Sequence, residues 1–260
     1  MTHPGAELLP NAPTSAALRV DDVTGPRGTP LLRHVSLSVP QGGSHVVLGP
    51  MHSGKSALLR LVLGLDRAVS GTVTIDGMTF DAASAKEDQL RLLRRRVGVV
   101  FDSSALVSRL TLLENVTLPL AEHSTVDAEH ARETAAALLH DVGVVRDLDR
   151  TPDELTRLDR RRAALARALV LEPAVLLIDE PGNGLDSHAA AELDETLRAL
   201  HERYRCGILI CSQEVRYAFH WPAAVSVLAN GRVVEQGSLD ELLHSRHEAV
   251  RRFVDRRGAA

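Results

Sequence analysis

The chain has 260 residues, a formal net charge of -4, 44% hydrophobic and 25% charged residues, and only 3% aromatic ones. That length suits one large domain or a domain with a smaller lobe. The weak negative charge and scarce aromatics argue against a basic nucleic-acid surface or a base-stacking platform. No apolar run reaches the roughly 18 residues that a membrane span needs, so any membrane role must come through a partner.

Residues 1–17, MTHPGAELLPNAPTSAA, lack a charged start followed by a long apolar core. They read as a disordered lead-in rather than a secretory signal. LRVDDV and HVSLSV between Leu18 and Val39 alternate as strands, and HVVLGP (45–50) reads as a buried strand entering a Gly-rich turn. A helix is predicted over 55–65, a strand over 71–77, a basic-ended helix over 84–96 and a buried strand over 97–101. From about 111 to 171 the pattern is mostly helical, and Gly143 is a helix stop. Alternation then returns: strand 174–179, helix 187–203, strand 207–212, a hairpin over 224–237 around Asn230-Gly231, and an amphipathic helix over 239–257. Strands alternating with helices predict an α/β fold with a mainly parallel sheet core, an antiparallel β lobe and an interrupting helical insert. Cys206 and Cys211 read as reduced core thiols on opposite faces of one strand. The 12 histidines show no metal-ligand spacing.

Two motifs carry chemistry. Gly49-Pro50-Met51-His52-Ser53-Gly54-Lys55-Ser56 fits G-x-x-x-x-G-K-[ST] between a predicted strand and a predicted helix. Its glycines let the backbone curl until successive N–H groups face phosphate oxygens, and the helix start adds its positive dipole end. Lys55 is placed to reach the outer phosphates, and the Ser56 hydroxyl to ligate Mg²⁺. The second motif is VLLIDEPGNGLD, which puts Asp179 and Glu180 at the carboxyl end of an apolar strand, where parallel sheets bind ligands. Asp179 suits Mg²⁺ through water, and Glu180 suits orienting or activating the attacking water.

The order of phosphate loop, helical insert, LTRLD, LLIDEP, GLD, strand and SQ resembles the ATP-binding subunit of ABC transporters. The likeness covers residues 18 to about 240. Within that family, VVFDSSALVSRLTLLENVTLPLAEHS (99–124) is similar to the ATPase subunit of Mla and Mce lipid transporters; RRAALARALVLEP and AVRRFVD fit the same branch. The resemblance implies an ABC-type P-loop NTPase fold over 18–240, with a helical insert over about 103–171 and a helical tail over 241–260. It implies ATP and Mg²⁺ sandwiched between two such chains, homo- or heterodimeric. It further implies a membrane permease subunit, a peripheral place on the inner face of a bacterial cell membrane, and docking of a small regulatory subunit on the tail.

The chain departs from this family at the positions that close the site. Thr156, Arg157 and Leu158 stand where LSGGQ places a serine and two glycines against the partner's γ-phosphate. Thr156 keeps a hydroxyl, but the side chains of Arg157 and Leu158 hold the backbone off. The Arg160-Arg161-Arg162 run then reads as a solvated basic helix start. Asp102 replaces a glutamine that senses Mg²⁺, with a carboxylate still able to bind the metal. Gln213 replaces the histidine that braces the γ-phosphate and water. No aromatic lies near Thr24 or Gly25 to stack on adenine, and His34 is the nearest ring. Intact cis residues beside altered trans residues predict retained ATP binding with weakened or partner-dependent hydrolysis. The alternative is a non-hydrolysing, ATP-gated clamp on a permease.

Overall fold

The computed structural model describes residues 16–26, 32–123, 125–146, 148–221 and 223–254. The chain starts with β1 (Ala16–Thr24), β2 (Val35–Pro40) and β3 (Ser44–Leu48), then enters α1 (Lys55–Val62). β4 (Ser70–Ile75), β5 (Met78–Asp81), α2 (Glu87–Arg94) and β6 (Val97–Val100) follow. Three helices come next, α3 (Leu112–His123), α4 (Ala128–Asp141) and α5 (Arg157–Leu169). The last part is β7 (Val175–Asp179), α6 (Ser187–Tyr204), β8 (Gly207–Ser212), α7 (Arg216–His220), β9 (Ala224–Ala229), β10 (Arg232–Gly237), α8 (Leu239–Leu243) and α9 (Glu248–Val254).

Two sheets result. One is antiparallel in the order β2-β1-β4-β5, and the other runs β10-β9-β3-β8-β7-β6. In the second, β9, β3, β8, β7 and β6 are parallel and β10 closes the edge antiparallel to β9. The sequence patterns explain both. β2 alternates, with Val35, Leu37 and Val39 buried and the residues between them exposed, as expected of a strand with one wet face. β3, β7 and β8 are buried along their whole length, as central parallel strands covered on both faces must be.

The two-residue period splits the sheet between two cores. Val46, Leu48, Leu176, Ile178, Ile208 and Ile210 join the core formed with α3, α4, α5 and α6. Val47, Val175, Leu177, Leu209 and Cys211 face the opposite core with α1 and the antiparallel sheet. The carboxyl ends of β3, β7 and β8 therefore lie side by side, at Leu48, Asp179 and Ser212.

Several expectations need correction. Residues 1–15 lie outside the described residues, and Ala16 and Ala17 belong to β1 rather than to a lead-in. Met78–Asp81 form a strand paired with β4 across an Asp76-Gly77 turn, both residues having positive φ (48° and 76°). That Asp-Gly pair is a hairpin signal that went unused. Residues 103–111 precede the first helix of the insert. The tail is two short helices instead of one: Ser238 caps α8, which ends at Leu243, and α9 begins at Glu248; 255–260 lie outside the described residues. Cys206 precedes β8 instead of lying in it, but the two thiols are free, buried and in different cores.

Candidate functional site

The loop between β3 and α1 is built on glycine. Gly49 donates its N–H to Ser212 O at 3.1 Å. A Cβ there would lie 2.5 Å from both Leu228 O and Ser53 Oγ, so no side chain fits. Gly54 is the N-cap of α1 with φ 115°, and it offers no side-chain cap. The first intrahelical bond is Leu58 N–H to Gly54 O, at 2.8 Å. The N–H groups of Lys55, Ser56 and Ala57 thus have no helical acceptor and open at the positive end of the dipole. His52 also takes a left-handed conformation (φ 61°) as the loop turns, while Pro50, Met51 and His52 are exposed.

Lys55 is 5% exposed and folds back over the loop. Its Nζ donates to Gly49 O at 2.8 Å and Pro50 O at 3.0 Å, and stands 3.1 Å from Glu180 Oε1. Glu180 is held from several sides. It adopts φ 45°, a left-handed backbone unusual outside glycine. Its N–H donates to Cys211 O at 2.8 Å. Its Oε2 accepts from Ser212 Oγ at 3.1 Å and from the Gln213 N–H at 3.0 Å. Gln213 thus contributes a backbone donor to Glu180, while its exposed side chain lines the cleft.

Asp179 is 3% exposed. Burial pushes its carboxyl above the usual range, against a hydrogen bond from Ser56 that favours the charged form. Its Oδ1 has no hydrogen-bond partner, and neither does the buried Ser53 Oγ. Orphaned buried oxygens beside open N–H groups are what a site for a metal-bound anion needs. Gly49 to Ser56, with Asp179, therefore fit a magnesium-bound phosphate chain. The cleft around them measures about 580 Å³, inside the roughly 300–1,000 Å³ of small-molecule sites. Its far end is lined by Gly25, Pro26, Leu32, Arg60, Leu61 and Asp66. His34 is not in that lining: it pairs with Asp22 at 2.7 Å on the surface. The base end is therefore aliphatic and charged among the described residues.

The structure changes the reading of Asp102. Its carboxylate accepts from Arg161 Nη2 at 2.8 Å and from Asn183 Nδ2 at 3.0 Å, the amide reaching both oxygens. Arg161 is 5% exposed, and its Nη1 donates to Phe101 O at 2.8 Å. Asp102 thus serves as counter-ion to a buried guanidinium while it lines the cleft with Ser56 and Asp179. The arginine run is misread as a solvated surface. Arg162 pairs with Glu192 at 3.0 Å, Arg160 donates to Pro152 O at 3.3 Å, and Arg157 donates to Gly184 O at 3.1 Å.

Thr156 is the N-cap of α5. Its hydroxyl accepts from the Asp159 N–H at 3.1 Å and donates to Asp159 Oδ2 at 2.7 Å. It is exposed and does not line the cleft formed by the phosphate loop, so the structure does not bring it to Lys55 and Glu180. Sequence reasoning also missed Asn183, and it took the buried Arg161 for a solvated residue. The only available signal for Asn183 was the Asn183-Gly184 turn pair after the acidic residues.

A strand, a glycine-bent loop, a helix start and an acidic pair at the carboxyl end of β7, one strand removed across β8, define a P-loop nucleotide-binding protein. The comparisons narrow that class. Residues 32–183 match the family model described as ABC transporter. The chain is 38% identical over 224 residues to the methionine import ATP-binding protein MetN 1 of Rhodopseudomonas palustris, covering 86% of this chain and 59% of that one. It is 34% identical over 246 residues to the probable ribonucleotide transport ATP-binding protein mkl of Mycobacterium leprae, covering 94% of this chain and 70% of the relative. Among solved structures, the dimeric bacterial ABC transporter cassette MJ0796 superposes with a TM-score of 0.76 at 28% identity, over 85% of this chain and 98% of that one. A second structure of that cassette is a dimer in a post-hydrolysis state with ADP and Pi, with a TM-score of 0.75. The chain belongs to the ABC transporter family as an ATP-binding cassette, with the corresponding P-loop NTPase fold.

Proposed function

We propose that this chain binds Mg-ATP in the cleft between its phosphate loop and Glu180, and that hydrolysis there drives a membrane permease. The observation that supports this most is the convergence of three features: uncapped N–H groups at α1, the Lys55 ammonium, and Glu180 pinned by Ser212 and Gln213. Ser56 and Asp179 would hold the metal, which supplies charge neutralisation on the phosphates when bound. Lys55 would exchange its loop carbonyls for phosphate oxygens. That exchange frees Glu180 Oε1 to accept from the attacking water while Oε2 stays fixed. Gln213 would stand beside the terminal phosphate as a neutral hydrogen-bonding group.

The same reading proposes two such chains, or this chain with a different cassette, facing each other across nucleotide. It also proposes a permease at the inner face of the cell membrane. Among the described residues no helix is long and apolar enough to cross a membrane. The 99–124 run supports lipid cargo of the Mla or Mce type, with a small regulatory subunit on the C-terminal helices. Phosphate release by the pure chain, alone and mixed with a co-encoded cassette, tests the hydrolytic part. Turnover above a Lys55→Ala control, higher in the mixture, supports it. No release in either case leaves an ATP-gated clamp, a reading favoured by one observation, the commitment of the Thr156 hydroxyl to Asp159.

A further inference from the structure

Behind Glu180 lies a charge cluster that nucleotide binding does not use. Asp194 on α6 is 2% exposed, and neither of its carboxylate oxygens has a hydrogen-bond partner. A buried carboxylate costs stability unless it is compensated, so its presence calls for a reason. Two side chains from α7 approach it: the Arg216 guanidinium, with Nη1 at 3.7 Å, and the His220 imidazole, with Nδ1 at 3.6 Å.

Arg216 then reaches two loops. Its Nε lies 2.6 Å from Glu214 Oε2, in the turn that follows β8. Its Nη2 donates to the buried Tyr217 hydroxyl at 2.9 Å, and the guanidinium covers the Tyr217 ring with its carbon 4.8 Å from the centroid. On the other side it packs against Gly182, two residues after Glu180. A Cβ at Gly182 would collide with Arg216 Nη2 and lie 2.9 Å from Tyr217 Oη. One guanidinium therefore touches α6, the 212–214 turn and the 181–184 loop.

Those two loops fix Glu180. Ser212 Oγ and the Gln213 N–H hold its Oε2, the Glu214 N–H donates to Ser212 Oγ at 3.0 Å, and the Asn183 N–H donates to Glu180 O at 3.1 Å. With Glu180 in a left-handed conformation, its aim depends on the spacing of the turn and the loop. We propose that Arg216, with Asp194 as its buried counter-ion, is a positioning residue that clamps these two segments and so sets the direction of the Glu180 carboxylate. It touches no reacting atom. The inference rests on the reading that Glu180 directs the attacking water.

The full chain, with its partner cassette where needed for turnover, is compared with Arg216→Gln, Arg216→Lys and Asp194→Asn. Steady-state kinetics, nucleotide affinity and thermal melting are measured on each. Arg216→Gln is expected to lower kcat on the order of tenfold while KM and nucleotide Kd stay within about twofold, the signature of a contact felt in the transition state. Arg216→Lys should recover part of that loss, because an ammonium can meet one carboxylate but cannot fork between two and cover a ring. Asp194→Asn, of equal size, should fall between the two, and it carries the test if Arg216→Gln melts below the assay temperature. An unchanged kcat in folded Arg216→Gln and Asp194→Asn overturns the inference, as does a loss that appears in Kd or tracks melting without rescue by lysine. Wild-type chain releasing no phosphate above the Lys55→Ala control overturns the hydrolytic reading as well. Wild-type turnover with unaltered variants overturns this inference alone.

Discussion

The starts of α1 and α5 are the same physical object in opposite states. Each is a helix N-terminus with orphan N–H groups and a positive dipole end. At α1 the N-cap is Gly54, which supplies no oxygen, and the first turn contains no acid. The donors stay open. At α5 the N-cap is Thr156, whose hydroxyl satisfies the Asp159 N–H, and Asp159 places a carboxylate in the first turn. Arg157, next in line, turns away to Gly184 O. The first helix start is left open; the second is filled by its own residues.

Disabling the open end should have the largest effect. Lys55→Ala is expected to abolish saturable nucleotide binding, read by titration with a fluorescent ATP analogue. Glu180→Gln should leave binding intact and lower phosphate release by roughly 10²–10⁴-fold, the usual reach of a positioned acid–base group. Equal turnover in wild type and Glu180→Gln would remove Glu180 from the chemistry.

Opening the closed end should have the next largest effect. Arg157→Gly, Leu158→Gly and Asp159→Gln together remove the side chains and the carboxylate that fill the head of α5. If that end faces a partner's nucleotide, turnover of the chain alone should rise by roughly 10- to 100-fold, less than the 10²–10³ that one donor aimed at developing charge is worth. No rise would mean that the capped end does not limit the reaction.

Two smaller effects concern stability. Asp179→Asn removes a buried carboxylate whose folded pKa is raised, chiefly by desolvation. Above that pKa the buried charge is a cost to the folded state, relieved as pH falls through it toward the unfolded value. The nucleotide-free variant should therefore melt higher than wild type at neutral pH, the gap closing in acid, while Mg²⁺ ceases to strengthen nucleotide binding. Thr156→Ala should cost about 1 kcal/mol in denaturant unfolding, the usual loss of a helix cap, with nucleotide affinity in the cleft unchanged.

The same contrast shows what was legible in the sequence. The phosphate loop is local: eight consecutive residues between a buried strand and a helix state both geometry and chemistry. The parallel core was legible because β3, β7 and β8 carry the apolar runs VVL, VLLI and ILIC, and the last hairpin because Asn230-Gly231 marks its turn. The head of α5 reads differently. Its arginines look like a wet basic face until Arg161 meets Asp102 and Phe101, about 60 positions earlier, and Arg162 meets Glu192 on α6. No periodicity reports such pairings. The Asp194–Arg216 contact likewise joins two helices through a single side chain. In the tail, apolar spacing suggested one helix, but the break at His244–His247 depends on how α8 and α9 pack against β9 and β10. Side-chain partners at long separation, together with the short strand β5 and the split of the tail, were what the sequence withheld.

The most direct measurement is the titration of the pure chain with a fluorescent ATP analogue, with and without Mg²⁺, beside Lys55→Ala. Saturable binding that tightens with Mg²⁺ and disappears in the variant is the predicted result. Binding that ignores the metal and survives loss of the ammonium would contradict the account, because the open start of α1 would then not be where the phosphates sit.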